Sequence, residues 1–418
     1  LMPINSFLYS GVKDSTTPVY NVANSLRFND DSSDYLNNTS VSTVTSRFTF
    51  TISLWVKRST LGAKSMIGTV GGDSTNFGAI WFDSSDRLNC TEGSGGGTLN
   101  FITNRVFRDV SAWYHIVIGI DTGQGTDSDR YKFWVNGTRL TDFDVSSYIS
   151  SGYTLRFNTA VLHEFGVRKG GSFINGYFSE LTFIDGQQLD ADQFGEYDSD
   201  TNIWIPKDLS DLTFGNNGFW LDFEDSSSLG NDVSGNNNDW TTSGLTSIDQ
   251  STDTCTNNYS TMNGLYFGSG VTMSEGNLSV AMNASAQFGA FSSIGVSTGK
   301  WYMEMKYTVQ VAGADRMMVG VSGNPANLRE GAPIGSTAGY IGADTESFAY
   351  YSDGGNSYTN EVATSYGDSW TVNDIIGIAL DLDNNKLYFS KNGTWQNSGD
   401  PTSGATGTGA ISITAPSS

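Results

Sequence analysis

Apolar and polar side chains alternate strictly along several stretches of this 418-residue chain. The pattern is sharpest in residues 374–393, where every second side chain is apolar up to Asp383-Asn384-Asn385 and alternation resumes at Leu387. A period of two turns one face of a strand inward, and Asn and Asp tolerate the positive φ of tight turns. This stretch therefore predicts a β-hairpin.

The same two-residue period recurs at regular spacing. Residues 48–57, 113–121 and 131–140 predict further strong strands, separated by clusters of Gly, Asp and Asn. The 49 glycines, against 7 prolines, favour many short strands joined by turns. Long windows rich in Ala, Glu, Lys and Leu are missing. We therefore expect an all-β protein with very little helix, built as two antiparallel β-sandwiches.

The charge of the chain narrows the range of partners. Asp and Glu total 44 against 22 Lys and Arg, a net charge of −22, which would repel phosphate backbones and anionic membrane surfaces. We therefore expect no nucleic-acid partner and no membrane insertion. Neither an apolar run of about 18 residues nor a signal-peptide pattern is present, which predicts a soluble chain that does not enter a secretory pathway.

Histidines and cysteines offer little material for catalysis. The two histidines, His115 and His163, and the two cysteines, Cys90 and Cys255, cannot supply a common four-ligand zinc site. Both histidines are better explained as structural residues than as bases. The cysteines permit one disulfide, and the sequence does not decide whether they pair.

Three separated segments carry a family resemblance. They are the strand WYHIV from Trp113, the strand ending WVNG at Gly137, and residues 173–197. In this order they resemble the laminin-G, pentraxin and concanavalin A-like jelly-roll superfamily. The resemblance implies a jelly roll over residues 21–200, preceded by an extended arm at 1–20. A loop-rich segment at 201–265, with a strand at 218–223, would then either complete this sandwich or link it to the next domain.

A second ordered set begins at residue 266. GKWYME at 299–304, VGVS at 319–322 and the hairpin at 374–393 together resemble a SPRY (B30.2) β-sandwich over residues 266–418. That family usually continues with further strands after the hairpin, whereas about 25 residues remain here. We therefore expect an incomplete sheet edge near the C-terminus, either left open or completed by a neighbouring chain.

The two modules in this order resemble structural proteins of tailed bacteriophages, particularly marine ones. The resemblance implies a non-enzymatic protein on the virion surface, such as a tail fibre, a tail-associated adhesin or a capsid appendage. Its expected partners are other virion proteins, further copies of itself and host-surface glycans. The alternatives are a secreted bacterial carbohydrate-binding adhesin and a jelly-roll polysaccharide hydrolase.

Acidic and amide side chains between the modules suggest a metal site. Oxygen ligands of this kind suit calcium, a hard cation. The candidate ligands are Asp222, Asp225, Asp232, Asn236, Asn238 and Asp239. The alternative, which the composition favours, is a set of Asx turns that need no ion.

Two carboxylates in this region bear on the hydrolase alternative. Asp222 and Glu224 would share one face of a strand, and glycoside hydrolysis needs two carboxyl groups flanking the sugar bond. Jelly-roll endoglucanases typically carry E-x-D-x-x-E on one strand, and Trp220 stands at the first of these positions. A solvated strand face is the commoner explanation, so we expect no catalytic residues.

Aromatic side chains beside polar loops are the candidate ligand contacts. Tyr350, Tyr351 and Tyr358 adjoin a Gly/Asn-rich loop, an arrangement suited to stacking on sugars or packing against a protein. An equally good explanation is that some of these tyrosines are ordinary strand residues. Trp370, Trp81 and Tyr153 are weaker candidates.

Overall fold

A computed structural model describes residues 20–39, 43–62, 65–71, 77–94, 97–168, 171–268, 270–282, 289–310, 317–325 and 340–414. These residues form two compact units. The first unit comprises residues up to 264 together with 274–279, and the second comprises 265–273 and 280 onwards. The predicted arm at residues 1–20 lies outside the described range, except for Tyr20.

The first unit is built from short strands. They are β1 (Ser25–Phe28), β2 (Tyr35–Thr39), β3 (Thr49–Arg58), β4 (Ser65–Val70), β5 (Phe77–Phe82), β6 (Arg87–Ser94), β7 (Gly97–Val106), β8 (Trp113–Asp121), β9 (Tyr131–Val135), β10 (Thr138–Leu140), β11 (Phe143–Ser147), β12 (Leu162–Phe165), β13 (Val167–Arg168), β14 (Ser172–Phe173), β15 (Gly176–Asp185), β16 (Gly195–Tyr197), β17 (Trp204–Pro206), β18 (Phe219–Leu221), β19 (Thr241–Ser243) and β20 (Gln250–Ser251). A short helix, α1 (Asp127–Arg130), precedes β9, and 3-10 turns lie at Ala191–Gln193 and Ser247–Asp249.

Most of these strands form two facing antiparallel sheets. Sheet 1 has the order β10-β9-β8-β3-β15-β1-β20, with β18 also paired to β15. Sheet 2 has the order β11-β7-β6-β5-β4-β12-β2-β19. Their inner faces enclose one large core of Phe, Ile, Leu and Val side chains, in which Phe50, Phe82 and Phe178 are fully buried. Alternation along each strand produces this core, because every second side chain points between the sheets.

The outer face of sheet 1 is covered as well. Alternation in residues 48–57 predicts one inward face, yet Ser53, Trp55 and Lys57 on the other face of β3 are also buried. Side chains from residues 189–214, among them Phe194, form a third layer on this outer face against β8, β9 and β15. Trp204 packs against the cluster that contains Trp55, and residues 253–259 cover Lys57. Burial on both faces explains why β3 is so rich in apolar residues.

The loop-rich segment belongs to the first sandwich. Strand β18 extends sheet 1 beside β15, with Leu181 paired to Leu221. Strand β20 pairs with β1 in the same sheet, and β19 pairs with β2 at the edge of sheet 2. Of the two arrangements that the sequence left open for residues 201–265, the structure shows the one in which they add strands to the first sandwich.

The later part of the chain contributes the remaining strands. They are β21 (Met262–Phe267), β22 (Val271–Ser274), β23 (Ser279–Met282), β24 (Ala290–Ser292), β25 (Lys300–Lys306), β26 (Met318–Ser322), β27 (Ser347–Tyr351), β28 (Asn356–Thr359), β29 (Val362–Ser365), β30 (Ile375–Asp381), β31 (Lys386–Lys391), β32 (Thr394–Trp395) and β33 (Ile411–Ser412). Short 3-10 turns lie at Gln396–Ser398 and Gly404–Thr406.

The second unit is also a sandwich. Sheet 3 has the order β25-β30-β31-β32, with β33 also paired to β31, and sheet 4 has the order β26-β27-β28-β29. Phe348 and Tyr350 from sheet 4 meet Ile378, Leu387 and Phe389 from sheet 3 in a shared core. The predicted hairpin is β30 and β31, and the all-β fold class with very little helix is confirmed.

The C-terminal edge of sheet 3 departs from the sequence-based expectation. The chain after β31 turns back along its outer edge, where β32 pairs with Ser390 and Lys391, and β33 pairs with Lys386 and Leu387. Between these two pairings, the backbone N–H of Phe389 donates to the Tyr366 hydroxyl at 3.0 Å. The expectation of an open or partner-completed edge was wrong for β31, because short strands separated by 3-10 turns suffice to cover it.

Candidate functional site

Tyr351 and Tyr358 lie side by side on the outer face of sheet 4. Phe348 and Tyr350 point into the core, so alternation along β27 turns Tyr351 outward. Tyr358 on β28 pairs with Ala349 and shares this face. The two rings meet edge to face, with centroids 5.6 Å apart and planes at 89°. Both side chains are half-buried, so part of each ring faces solvent.

Tyr340 joins this pair from a neighbouring loop. Its side chain is 38% exposed, and its pKa is raised by partial burial together with electrostatic interactions with Glu361 and Tyr358. The loop is held close because the backbone N–H of Glu361 donates to the Gly342 carbonyl at 3.0 Å. Gly342 has φ of +96°, and a Cβ at that position would lie 2.7 Å from the Cβ of Tyr358. We call Tyr340, Tyr351 and Tyr358 the tyrosine cluster.

Polar groups flank the tyrosine cluster. Asn356 precedes Tyr358 by two positions on β28 and therefore shares its face. Glu361 lies in the turn between β28 and β29, where Asn360 and Glu361 have φ of 51° and 62°. The cluster thus combines aromatic surface with an amide and a carboxylate, groups that can pack against a ligand and form hydrogen bonds with it.

Two of the predicted contact residues belong to the core instead. Tyr350 is fully buried, stacks on Phe389 with centroids 5.3 Å apart, and donates its hydroxyl hydrogen to the Asp368 carbonyl. Trp370 is 1% exposed and lies edge to face with Tyr307 at 5.8 Å. Neither ring can stack on a ligand, which corrects the assignment of both residues.

The other predicted aromatic contacts lie in the first unit. Trp81 stands on β5 between the core residues Ile80 and Phe82, so it points to the outer face of sheet 2 and is half-buried. Asn89 and Ile102, on the next two strands, share its cross-strand row. Tyr153 packs at the margin of the sandwich core. Trp81 and the tyrosine cluster are therefore separate surfaces on different units.

A cavity lies between the two sheets of the first unit. Its volume is about 40 Å³, and its lining includes His163, Trp240, Phe165 and Asn238. This space suits roughly one water molecule and is far too small for a sugar ring. Burial lowers the pKa of His163 to about 4, and its Nδ1 lies 2.8 Å from the Val161 carbonyl oxygen. This cavity is therefore not a glycan pocket, and His163 is neutral at physiological pH.

The carboxylate of Asp232 anchors the turns that were predicted to bind calcium. One of its oxygens accepts the backbone N–H groups of Trp220 and Ser234, both at 2.9 Å. The other accepts the Ser234 hydroxyl and the backbone N–H of Asn238, also at 2.9 Å. Both oxygens are thus engaged in hydrogen bonds that shape the turn.

The other predicted calcium ligands behave similarly. Asp222 accepts the backbone N–H of Glu224, Asp225 accepts that of Ser227, and Asp239 accepts that of Asp232. Asn236 and Asn238 both donate to the Gly218 carbonyl. Across the described part of the chain, no group of three or more His, Cys, Asp and Glu residues is arranged to hold a metal ion. The geometry is that of Asx turns.

Asp222 and Glu224, the two carboxylates considered for hydrolysis, do not lie on one face of a strand. Strand β18 ends at Leu221, and Phe223 has φ of 61°, which breaks the alternation between Asp222 and Glu224. Partial burial is the main cause that raises the pKa of Asp222, whereas Glu224 is exposed. The assumption of a continuous strand through residue 223 was wrong.

A third carboxyl group, Glu180, was not singled out from the sequence. It interrupts β15 at a bulge, has φ of 51° and is 4% exposed. The Trp220 indole N–H donates to it at 2.8 Å, and the Tyr20 hydroxyl lies 3.5 Å away. Burial, reinforced by the charges of Asp222 and other carboxylates, raises its pKa to about 8. A Glu within the apolar stretch 176–185 was the available sequence signal.

His115 is a structural residue, as the sequence suggested. Its Nδ1 accepts the Trp204 indole N–H at 2.9 Å, and its Nε2 lies 2.9 Å from the Ser53 hydroxyl. The ring stacks on Trp55 with centroids 4.7 Å apart, and burial lowers its pKa to about 3. Both cysteines are free thiols, Cys90 being fully enclosed in the core.

Family models match both units. Residues 30–193 match the concanavalin A-like lectin/glucanases superfamily, and residues 300–411 match the SPRY domain. The chain therefore carries a laminin-G/concanavalin A-like domain followed by a SPRY domain, as the sequence motifs indicated. Among the described residues, none of the helices is both long and apolar enough to cross a membrane.

Three of the solved structures that resemble this chain do so at low identity. One is a protein from Bacteroides ovatus that is proposed to bind carbohydrate, at 16% identity and a TM-score of 0.36. The match covers 54% of this chain and 60% of the other, less than two thirds of its length. Another is a heptameric SAP-like pentraxin from Limulus polyphemus, at 13% identity and a TM-score of 0.28, covering 42% of this chain and 82% of the other. A third is domain 4 of an extracellular arabinanase from Geobacillus stearothermophilus, at 18% identity and a TM-score of 0.27, covering 34% of this chain and 62% of the other. No curated protein sequence matches the chain.

Proposed function

We propose that this protein is a non-enzymatic carbohydrate-binding protein that contacts glycans through the tyrosine cluster. The observation that carries the proposal is the grouping of three partly exposed rings beside Asn356 and Glu361. The rings offer stacking surface to the apolar face of a sugar, while the amide and the carboxylate can bind its hydroxyl groups. The match of the first unit to a family that includes lectins supports the same ligand class.

The face of sheet 2 around Trp81 is a second surface for the same function. It places an aromatic ring in a row with Asn89 and Ile102 on the outer face of the sheet. Asn89 is only 3% exposed, so a ligand there would contact chiefly the ring. The tyrosine cluster therefore has the stronger case.

The hydrolase alternative has less support. Cleavage of a glycosidic bond needs two carboxyl groups about 5–10 Å apart on either side of the sugar. Glu180 is enclosed beneath Trp220, and Asp222 holds a turn through the Glu224 backbone. This alternative predicts polysaccharide cleavage that Asp222→Asn or Glu224→Gln abolishes.

The proposed location is the virion surface of a tailed bacteriophage, in a tail fibre, tail-associated adhesin or capsid appendage. The order of the two modules along the sequence is its support, and the expected partners are other virion proteins, copies of the chain and host-surface glycans. Peptides of this chain in purified virions, and matching density in the particle, would test it. A secreted bacterial adhesin, the alternative, predicts a signal peptide upstream in the full gene.

Glycan binding is tested directly with the purified chain. Screening on a glycan array followed by titration calorimetry should identify a ligand, and Tyr351→Ala or Tyr358→Ala should weaken its binding about fivefold, because an aromatic contact contributes about 1 kcal/mol. Val362→Ala, at an exposed position on the neighbouring strand β29, is the matched control and should bind normally. Loss of binding only in Trp81→Ala would move the site to sheet 2, and absence of any glycan ligand would refute the proposal.

A further inference from the structure

Lys57 is an unusual lysine because its whole side chain is enclosed. It lies on β3 at the outer face of sheet 1, and only 1% of it is exposed. Trp113 on β8 and Tyr177 on β15 are its direct cross-strand neighbours. The segment that follows β20 supplies the groups around its amine. A buried amine between two aromatic rings has lost the water that normally stabilises its charge.

The amine contacts a carboxylate and a carboxamide at the same time. Nζ lies 2.8 Å from Asp253 Oδ2, 2.8 Å from Asn258 Oδ1 and 2.7 Å from the Tyr259 carbonyl oxygen. Asn258 Nδ2 donates to the Ser111 carbonyl at 2.7 Å, which keeps the amide oxygen turned towards Lys57. Since a C=O bond is about 1.2 Å long, the amide carbon lies within about 4 Å of the amine. Reacting atoms in near-attack geometries are about 3–3.5 Å apart.

Asp253 is placed to accept a proton from this amine. Its Oδ1 receives the Trp113 indole N–H at 3.1 Å, which orients Oδ2 towards Nζ. Burial lowers the pKa of Lys57 even though the charge of Asp253 acts in the opposite direction. A buried lysine therefore gives up its proton more readily than one at the surface and becomes a nucleophile.

We propose that Lys57 and Asn258 form an intramolecular isopeptide bond, with Asp253 as the acid–base catalyst. Asp253 takes one proton from the Lys57 ammonium, and the neutral amine attacks Cγ of Asn258. A second proton passes from the attacking nitrogen to Nδ2, the bond between Cγ and Nδ2 breaks, and ammonia leaves. Asp253 returns its proton to the ammonia. One C–N bond forms and one breaks, an ammonium ion is released, and no oxidant or cofactor is needed.

The bond would tie the middle of sheet 1 to the segment after β20. That segment otherwise contacts the sheet and its adjoining loop through hydrogen bonds, such as those of Asp253 with Trp113 and of Asn258 with Ser111. With the bond in place, it could not separate from β3 without cleavage of an amide. The inference does not depend on the proposed glycan binding, since all of its groups lie within the first unit.

Intact-mass spectrometry of the denatured, purified full chain tests the proposal. The wild-type mass should be lower than the sequence mass by one ammonia. Tryptic digestion should leave Lys57 uncleaved and yield a branched peptide that joins the Lys57 and Asn258 segments. Lys57→Arg, Asn258→Ala and Asp253→Asn should each restore the full mass. Lys132→Arg is the control, because Lys132 also faces a carboxylate, Asp190 at 3.5 Å, and it should retain the loss of ammonia.

The wild-type chain alone decides the outcome, so the proposal remains testable if a variant does not fold. A wild-type mass equal to that of the sequence, with linear Lys57 and Asn258 peptides, would refute it. Loss of ammonia without the branched peptide would also refute it, because it would indicate cyclisation of some other Asn. In either case Lys57 and Asp253 would be a simple buried ion pair.

Discussion

Glu180 should make the first unit less stable as pH rises, and Glu180→Gln should remove this effect. Its pKa is about 8 in the folded chain, against an ordinary value of 4.5. Between these two values the folded state holds a proton that the unfolded state has lost, so the free energy of unfolding falls as pH increases. The slope is about 1.4 kcal/mol per pH unit, which amounts to about 3 kcal/mol at pH 7.

Glutamine preserves the local structure around position 180. It has the same shape as protonated Glu180, and its amide oxygen can accept the Trp220 indole N–H that Glu180 accepts at 2.8 Å. Glutamine must adopt the same φ of 51° as Glu180, so the backbone contribution is the same in both proteins. The variant therefore isolates the cost of keeping the carboxyl group protonated, because the packing and the hydrogen bond remain.

Urea unfolding followed by circular dichroism at several pH values between 5 and 8 measures this cost. The difference in unfolding free energy between Glu180→Gln and the wild type should be small near pH 5 and should grow to about 3 kcal/mol at pH 7. Glu196→Gln, at an exposed position of the same unit, controls for loss of a carboxylate as such. A constant difference across this pH range would show that Glu180 is ionised in the folded chain and would refute the reasoning.

Other substitutions test further parts of the structure. Asp232→Ala removes acceptors for backbone N–H groups and should lower the unfolding free energy of the first unit by about 2–4 kcal/mol. Neither calcium nor a chelator should change the melting temperature of the wild type. A rise with calcium would contradict the Asx-turn assignment. Gly320→Ala would place a Cβ 1.9 Å from the Phe348 carbonyl oxygen and should lower the melting temperature of the second unit by several degrees in calorimetry, whereas an unchanged transition would contradict the β26–β27 register. Burial raises the pKa of Glu92 to about 7, so Glu92→Gln should gain stability relative to the wild type between pH 5 and 7 in the same urea assay, and an equal pH dependence would argue against its burial.

The alternation of apolar and polar residues predicted the strands well where one face is buried and the other is exposed to solvent. Residues 374–393 are the clearest case, since Ile376 and Ile378 are buried in the core of the second unit. The pattern was less informative for β3, because distant segments, including Trp204 and residues 253–259, bury Trp55 and Lys57 on its second face. A layer contributed by distant residues leaves no signature in the local period.

Only part of the candidate site could be predicted from the sequence, for a related reason. Tyr350 and Tyr351 are adjacent, so alternation sends them to opposite faces, but it does not say which one faces the core. The structure assigns Tyr350 to the core and Tyr351 to the surface. Tyr340 lies in the cluster because its loop contacts Tyr358 at Gly342. The pKa of Glu180 is raised because the chain around Trp220 buries it. Both depend on long-range packing that spacing along the chain does not encode.

The covered edge of β31 has a consequence for how copies of this protein can meet. An unpaired strand edge acts as a template on which another chain can add a strand, which leads to domain swapping or aggregation. Here β32, β33 and the Tyr366 hydroxyl already occupy the outer edge of β31. Neighbouring copies at high local density would therefore not fuse by strand addition at this edge, and any contact made there must use side chains.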